Sequence, residues 1–361
     1  MKSKKTLLSL LFCLFFGQVA LVAQLNYPIP HPEGYVCYKA NSPILIDGKM
    51  DESDWSQAVW TADFVDIEGS KKPVPYQKTR VKMLWDSNYF YFAAELEEPH
   101  LWATLTQRDT VIFYDKDMEI FIDPDGDSHG YYELEMNALN TVWDLLLPKP
   151  YREGGPAIDH WDINGLQSAV ALFGTLNDPT DTDEKWTVEV AIPWNVLEEY
   201  APHNGPPNNG EQWRVSYSRV HYDLDIVDGK YQKRKDPSGQ PLPEYNWTWS
   251  PQWVINMHRP ETWGYVQFAE EAVGSGAVDF KKDLDFDLKM ALYEVYFAQK
   301  IYLESHGSFA PRLLDLPLSE YNLAHFLKVM DLEAISTKFI LSAQGCTTIL
   351  QIDEQGVLQH K

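Results

Sequence analysis

The sequence predicts a mainly β protein, in which an antiparallel β-sandwich is followed by a small α+β domain. Short runs of alternating apolar and polar residues recur between residues 35 and 270, with turn-forming residues between them. The first long run with helical periodicity begins only at Phe286. A Gly-Ser-Gly stretch indicates a linker over 271–279, so the predicted domains are the sandwich at 35–270 and a small domain of unassigned role at 280–361.

Residues 1–23 have the pattern of a cleavable signal peptide. A lysine-rich start precedes an apolar run at 7–16, and small residues end at Ala23. The mature protein is therefore expected to be secreted or periplasmic, without insertion into a membrane. Only Cys37 and Cys346 follow the signal, and either a disulfide between them or two free thiols would fit such a compartment.

The composition excludes some classes of partner. The net charge is -23 with a pI near 4.7, and no extended basic stripe appears, although Lys and Arg residues occur together at 230–235. Nucleic acids and anionic membrane surfaces need such a stripe, so neither is an expected partner. The chain also contains 13 Trp, 20 Tyr and 16 Phe, more than enough rings to build a core and to stack on the flat faces of a ligand.

The elements of the predicted sandwich follow in order. An apolar strand at 43–46 precedes a helical turn within 51–60 that carries Trp55 inward, and a hairpin follows at 79–96. Residues 221–249 are expected to form a long polar loop. A strand is expected to end within 145–151, and further strands are expected at 166–173, 186–192, 213–220 and 263–268.

Residues 115–144 are the most informative stretch, because two alternating runs flank a loop rich in Asp and Gly. Successive strand residues point to opposite faces, so each run has one apolar and one acidic face. A hairpin would gather a set of polar side chains on one outward surface: Asp117, Glu119, Glu133, Glu135 and Asn137. Such crowding suits a cation, a ligand rich in hydroxyl groups or an acid–base pair, and a solvated outer face is the alternative.

The C-terminal region predicts a helix over 286–305 that stops at His306-Gly307. A second short helix is expected at 321–330. Three strands are expected after it, at 339–342, 347–352 and 357–359. This small domain is a candidate for contact with another protein.

Four stretches together resemble the family 9 carbohydrate-binding modules, in the same order over roughly residues 35–270. They are ILIDGKMDESDW at 44–55, RVKMLWDSNYFYFAAELEEP at 80–99, DMEIFIDPDGDSHGYYELEMNALNTVWDLLL at 117–147 and WTVEVAIPWNVL at 186–197. The resemblance implies a bacterial, non-catalytic β-sandwich that binds plant-type polysaccharide or oligosaccharide, such as xylan, in carbohydrate catabolism. It also implies structural calcium.

By the resemblance, Glu119 matches a ligand-binding acid, and Glu135 and Asn137 match polar contacts on the next strand. Carboxylates and amides can take the hydrogen bonds of sugar hydroxyls. Asp123, Asp125 and Asp127 offer hard oxygen ligands on a turn, which suits calcium, although a solvated turn has the same pattern.

The family clamps sugar between two tryptophans, and this chain departs from both. Phe113-Tyr114 stand at the first position and Met257-His258 at the second, with Trp253 and Trp249 nearby. Either the clamp has moved or the ligand differs.

Two other functions fit the same residues. A glycoside hydrolase needs two carboxyl groups about 5–9.5 Å apart, which Glu119 and Glu135 could supply. A haem-binding redox domain of related fold would use methionine with histidine or lysine, although isolated methionines are usually core residues. The candidates for that role are Met83, Met136, Met257 and His258.

Overall fold

The computed structural model describes residues 28–318 and 323–361. These residues divide into two compact units, of which the first comprises Pro30–Lys149 and Pro156–Leu284. The second contains Pro150–Gly155 and Asp285–Lys361. The predicted linker at 271–279 thus lies within the first unit, and the predicted signal at 1–23 lies outside the described residues.

The first unit contains a short helix, α1 (Ser53–Gln57), and a large sheet. Its strands are β1 (Gly34–Lys39), β2 (Val65–Asp66), β3 (Thr79–Trp85), β4 (Tyr89–Glu97), β5 (Asp117–Asp123), β6 (Tyr131–Asn137), β7 (Val142–Leu147), β8 (Gln167–Phe173), β9 (Lys185–Pro193), β10 (Gln212–His221), β11 (Leu224–Val227), β12 (Lys230–Lys233), β13 (Tyr245–Thr248) and β14 (Gly264–Ala272). The sheet order is β7-β6-β5-β10-β14-β1-β3-β4-β9-β8; β13 branches from β10 and pairs with β2, while β11 and β12 form a separate hairpin.

The large sheet folds over on itself, so the first unit is a β-sandwich. Ile120 of β5 and Tyr217 of β10 belong to the same buried cluster as Phe92 of β4 and Val190 of β9. These strands lie in opposite halves of the sheet order, so their inner faces must pack against each other. Strand β1 joins the halves and runs parallel to both β14 and β3. The predicted mainly β class and the sandwich are confirmed.

Two predictions about local structure in this unit are wrong. Residues 43–46 form no strand, because backbone N–H groups in this segment bind carboxylates and not a partner strand. Leu45 N–H donates to Glu52, and Asp47 N–H donates to Glu189. The polar segment 221–249 is not one loop, since it contains β11, β12 and β13. Its strands escaped detection because their exposed faces are polar and β13 depends on pairing with the distant β2.

The second unit contains α2 (Phe286–His306) and an antiparallel sheet of β15 (Met330–Ala334), β16 (Phe339–Gln344), β17 (Ile349–Asp353) and β18 (Leu358–His360). Gly307 ends the helix in the left-handed conformation, as the sequence predicts. The small C-terminal α+β domain is thereby confirmed. Of the expected helix at 321–330, residues 324–329 form turns and Met330 begins β15, while 321–322 lie outside the described residues.

Two further features bear on the predictions. Cys37 is buried, Cys346 is exposed, and no disulfide joins them. Within residues 28–318 and 323–361, no helix combines the length and the apolar character needed to cross a lipid bilayer.

Candidate functional site

Strands β5 and β6 pair as predicted, and their register builds one polar row across four strands. Glu119 stands directly opposite Glu135 on β6, and Glu135 stands opposite Trp143 on β7. On its other side Glu119 pairs with Ser218 of β10. The row points away from the core because the intervening residues, such as Ile120, belong to the main buried cluster.

The acidic face does not point to solvent, which corrects the sequence-based expectation. Asp117 is 0%, Glu135 1% and Glu119 5% exposed. The segment before β5 covers the row: the backbone N–H of Phe113 donates to Glu135 Oε2 at 3.0 Å. Tyr222, just after β10, in turn donates from its hydroxyl to the carbonyl of Phe113 at 2.8 Å. Of the three carboxylates, Glu119 keeps the greatest access.

Asp117, Glu119 and Glu135 form what we call the acid floor. One carboxylate oxygen from each lies within 4.8 Å of the others. Neither oxygen of Asp117 has a hydrogen-bond partner of good geometry, and the buried Ser218 hydroxyl also lacks one. In the described part of the chain, no lysine or arginine forms an ion pair with this floor.

Burial raises the pKa of every carboxyl group in the floor. For Asp117 the next cause is repulsion from Glu119, opposed by the backbone N–H of Val220, and the pKa lies well above its usual range. For Glu135 the next causes are Asp117 and Glu119. Burial raises the pKa of Glu119 to about 7, although the Ser218 hydroxyl opposes the rise. The floor therefore favours a ligand that donates hydrogen bonds or carries positive charge.

The rim beside the floor includes Tyr222 and Lys233, which sequence reasoning did not select. Lys233 Nζ lies 3.4 Å from the centre of the Tyr222 ring and 5.8 Å from that of Tyr114. The pKa of Tyr222 is raised by burial, then by Glu244, Asp117 and Glu119. Tyr114 is 58% exposed and packs edge-on against Phe113, so the predicted first aromatic position does border the site.

Asn137 has a different environment from Glu119 and Glu135. Its amide nitrogen donates to the carbonyl of Leu105 and to Asp115, and its amide oxygen accepts from the backbone N–H groups of Leu139 and Thr141. All its hydrogen-bonding positions are thereby occupied. In this arrangement Asn137 holds the segment that covers the acid floor.

The predicted second aromatic position lies at the other end of the same face. The Tyr131 hydroxyl lies 2.9 Å from His258 Nδ1, and Met257 packs against the cluster that contains Phe121 and Trp263. Burial lowers the pKa of His258 to about 3. This end is apolar, and its rings pack on each other.

The remaining predicted tryptophans and methionines pack against other parts of the fold. Trp253 packs over Gly69, where a Cβ would lie 2.6 Å from its ring, and Trp249 is buried against Gly264. Met83 and Met136 both belong to the main core, the position usual for isolated methionines.

The aspartates of the β5–β6 loop cluster as predicted. One oxygen each of Asp123, Asp125 and Asp127 lies within 4.8 Å of the others. Both oxygens of Asp123 also accept backbone N–H groups, from Gly126 at 2.9 Å and Ser128 at 3.0 Å. These hydrogen bonds therefore stabilise the loop conformation independently of an ion.

Several solved structures of other proteins are similar to this chain. The structure of a candidate carbohydrate-binding protein from Bacteroides uniformis covers 66% of this chain and 99% of its own, at 14% identity and a TM-score of 0.47. A family 9 carbohydrate-binding module from Caldicellulosiruptor kristjanssonii in complex with cellotriose covers 68% and 98%, at 16% identity and a TM-score of 0.41. Its complex with glucose gives 15% identity and a TM-score of 0.39, covering 67% of this chain and all of that one.

No curated protein matches the sequence. The family model described as "Carbohydrate family 9 binding domain-like" matches residues 46–230, just over half of the 361 residues and including the whole β5–β6 hairpin. The chain therefore belongs to the carbohydrate family 9 binding domain-like family.

Proposed function

We propose that this protein is an exported, non-catalytic carbohydrate-binding protein that recognises plant-type oligosaccharide or polysaccharide during carbohydrate catabolism. Membership of the family supports the ligand class. The observation that carries the proposal is the acid floor, whose most accessible member is Glu119 and whose rim is aromatic.

The chemistry of the site suits a sugar. Hydroxyl groups donate hydrogen bonds to carboxylates, and such charge-assisted bonds are stronger than neutral ones. The exposed ring of Tyr114 can stack on the C–H face of a pyranose, and Lys233 adds a donor at the rim. The Tyr114 ring would take the stacking role of the family's first tryptophan.

Export and calcium complete the proposal. The lysine-rich and apolar start of the chain supports a cleaved signal and a secreted or periplasmic protein. Three aspartate oxygens close together in the β5–β6 loop support a structural calcium ion at Asp123, Asp125 and Asp127, where the ion would supply charge neutralisation.

Calorimetric titration with cello- and xylo-oligosaccharides tests the ligand class, together with retention on insoluble xylan and cellulose. We expect Glu119→Gln to weaken binding about 10- to 100-fold, because a hydrogen bond to a charged group contributes about 1.5–3 kcal/mol. The matched control is Glu184→Gln, since the Glu184 side chain is exposed in the β8–β9 loop. Absence of heat and of retention would overturn the proposal, and release of reducing sugar would overturn its non-catalytic part.

A further inference from the structure

We propose that the acid floor holds a divalent, oxygen-seeking cation of the calcium type, bound by Asp117, Glu119 and Glu135. This site is separate from the β5–β6 loop, and it shares Glu119 with the surface proposed above to contact sugar. Oxygens on opposite sides of a calcium ion lie about 4.6–5.2 Å apart, since each Ca–O bond is about 2.3–2.6 Å. The three carboxylate oxygens lie within 4.8 Å of one another, so one ion can contact all of them.

Asp117 provides the independent evidence for a ligand. It is fully buried, and neither of its oxygens has a hydrogen bond of good geometry. An ionised carboxylate buried without a partner is strongly unfavourable, so the native protein neutralises it either with a proton or with a cation. A bound cation accomplishes this for all three carboxylates at once.

A neutral oxygen ligand also lies beside the three carboxylates. Ser218 stands opposite Glu119, and its buried hydroxyl has no hydrogen bond of good geometry. Glu135 accepts the Phe113 N–H through Oε2, so this bond does not occupy its Oε1. The free carboxylate oxygens and this hydroxyl approach the six to eight or so oxygen ligands that calcium takes.

The basic residue closest in sequence does not neutralise the floor. Lys116 directly precedes Asp117, yet its Nζ points to the other side of the strand and pairs with Glu98 at 2.8 Å. A second acidic cluster in the same sandwich shows the contrast. There Arg108 bonds to both Asp144 and Asp162, and the backbone N–H of Ile163 donates to Asp144.

The loop aspartates offer a matched comparison within the same hairpin. Asp123 already has backbone donors on both oxygens, whereas neither oxygen of Asp117 has a hydrogen bond of good geometry. Variants of the floor and of the loop therefore separate the two candidate ion sites. Asp127→Asn is the control, because Asp127 belongs only to the loop cluster.

The test uses the full mature chain stripped with a chelator and titrated with Ca²⁺ alone, with Mg²⁺ for comparison. Calorimetry should show an ion that Asp117→Asn loses or binds more than about 100-fold more weakly, and that Asp127→Asn retains. The rise in melting temperature on adding Ca²⁺ should follow the same pattern. Glu135→Gln is the second floor variant, in case Asp117→Asn does not fold.

Two outcomes would overturn the cation site. One is a wild-type protein that binds no divalent ion. The other is a floor variant that binds Ca²⁺ with unchanged number and affinity, which would assign the ion to the loop. No sugar is present in this titration, so its result is independent of the proposed carbohydrate binding.

Discussion

The hydroxyl of Tyr222 donates a 2.8 Å hydrogen bond to the backbone carbonyl of Phe113, and so ties the segment after β10 to the segment before β5. Phe113 in turn caps Glu135 through its N–H. The cover of the acid floor therefore depends on a side chain about 110 residues away along the chain.

Tyr222→Phe is expected to loosen that cover. Loss of one hydrogen bond should lower the free energy of unfolding by about 1 kcal/mol. It should also speed amide hydrogen exchange at 104–115 and weaken oligosaccharide binding several-fold. Tyr91→Phe is the control, because the Tyr91 hydroxyl bonds to Asp86 on the other half of the sandwich. Equal exchange rates at 104–115 in both variants would contradict the role of Tyr222.

Tyr114→Ala tests the aromatic rim. The ring is 58% exposed, so its loss should cost little stability, whereas sugar affinity should fall about 10-fold if the ring stacks on a pyranose. Calorimetry measures the affinity and thermal unfolding the stability. Phe173→Ala removes a 40% exposed ring from β8, at the far end of the sheet order, and should leave affinity unchanged.

His221 predicts a loss of stability in mild acid. Burial lowers its pKa from 6.5 to about 4, although the neighbouring Glu98 opposes the change. The unfolded chain therefore takes up a proton near pH 6.5 that the folded protein refuses until about pH 4. The contribution of His221 to the free energy of unfolding should therefore fall by about 3 kcal/mol as pH is lowered across this window.

Denaturant unfolding at pH 7 and pH 5 measures that slope. His221→Gln should flatten it, whereas His160→Gln should not, because His160 is exposed. His258 adds a slope of the same sign that both variants keep. An unchanged slope in His221→Gln would show that this histidine is not held neutral.

Gly130, at the start of β6, should tolerate no side chain. Its φ is +57°, and a Cβ would overlap the ring of Tyr200. Gly130→Ala should lower the free energy of unfolding by about 2–4 kcal/mol. Gly126→Ala is the matched control: its φ is +71°, but the nearest atom would lie at 3.4 Å, so only about 1 kcal/mol is expected. Thermal unfolding distinguishes steric overlap from backbone strain.

The sequence predicted the hairpin well because local alternation determines it. Glu119 opposite Glu135, with Ile120 facing the core, follows from a period of two and a turn-rich loop. Calcium in the loop and export remain predictions.

The burial of the acid floor could not be predicted in the same way. It depends on where the segment before β5 lies, and that segment is held by Asp115, which accepts the N–H groups of Thr104 and Leu105. Nothing in local composition encodes such a path. The rim residues Tyr222 and Lys233 escaped for the same reason, since a polar segment gives no periodic signal.

The placement of β1 and β14 has a practical consequence. Both strands lie outside residues 46–230, the span of the family match, yet they sit side by side in the middle of the sheet order. In a recombinant fragment cut at those bounds, β10 and β3 would become unpaired edge strands. Such edges can pair with other molecules and cause aggregation. Expression of a soluble binding domain therefore requires a chain that includes at least Gly34 through Ala272.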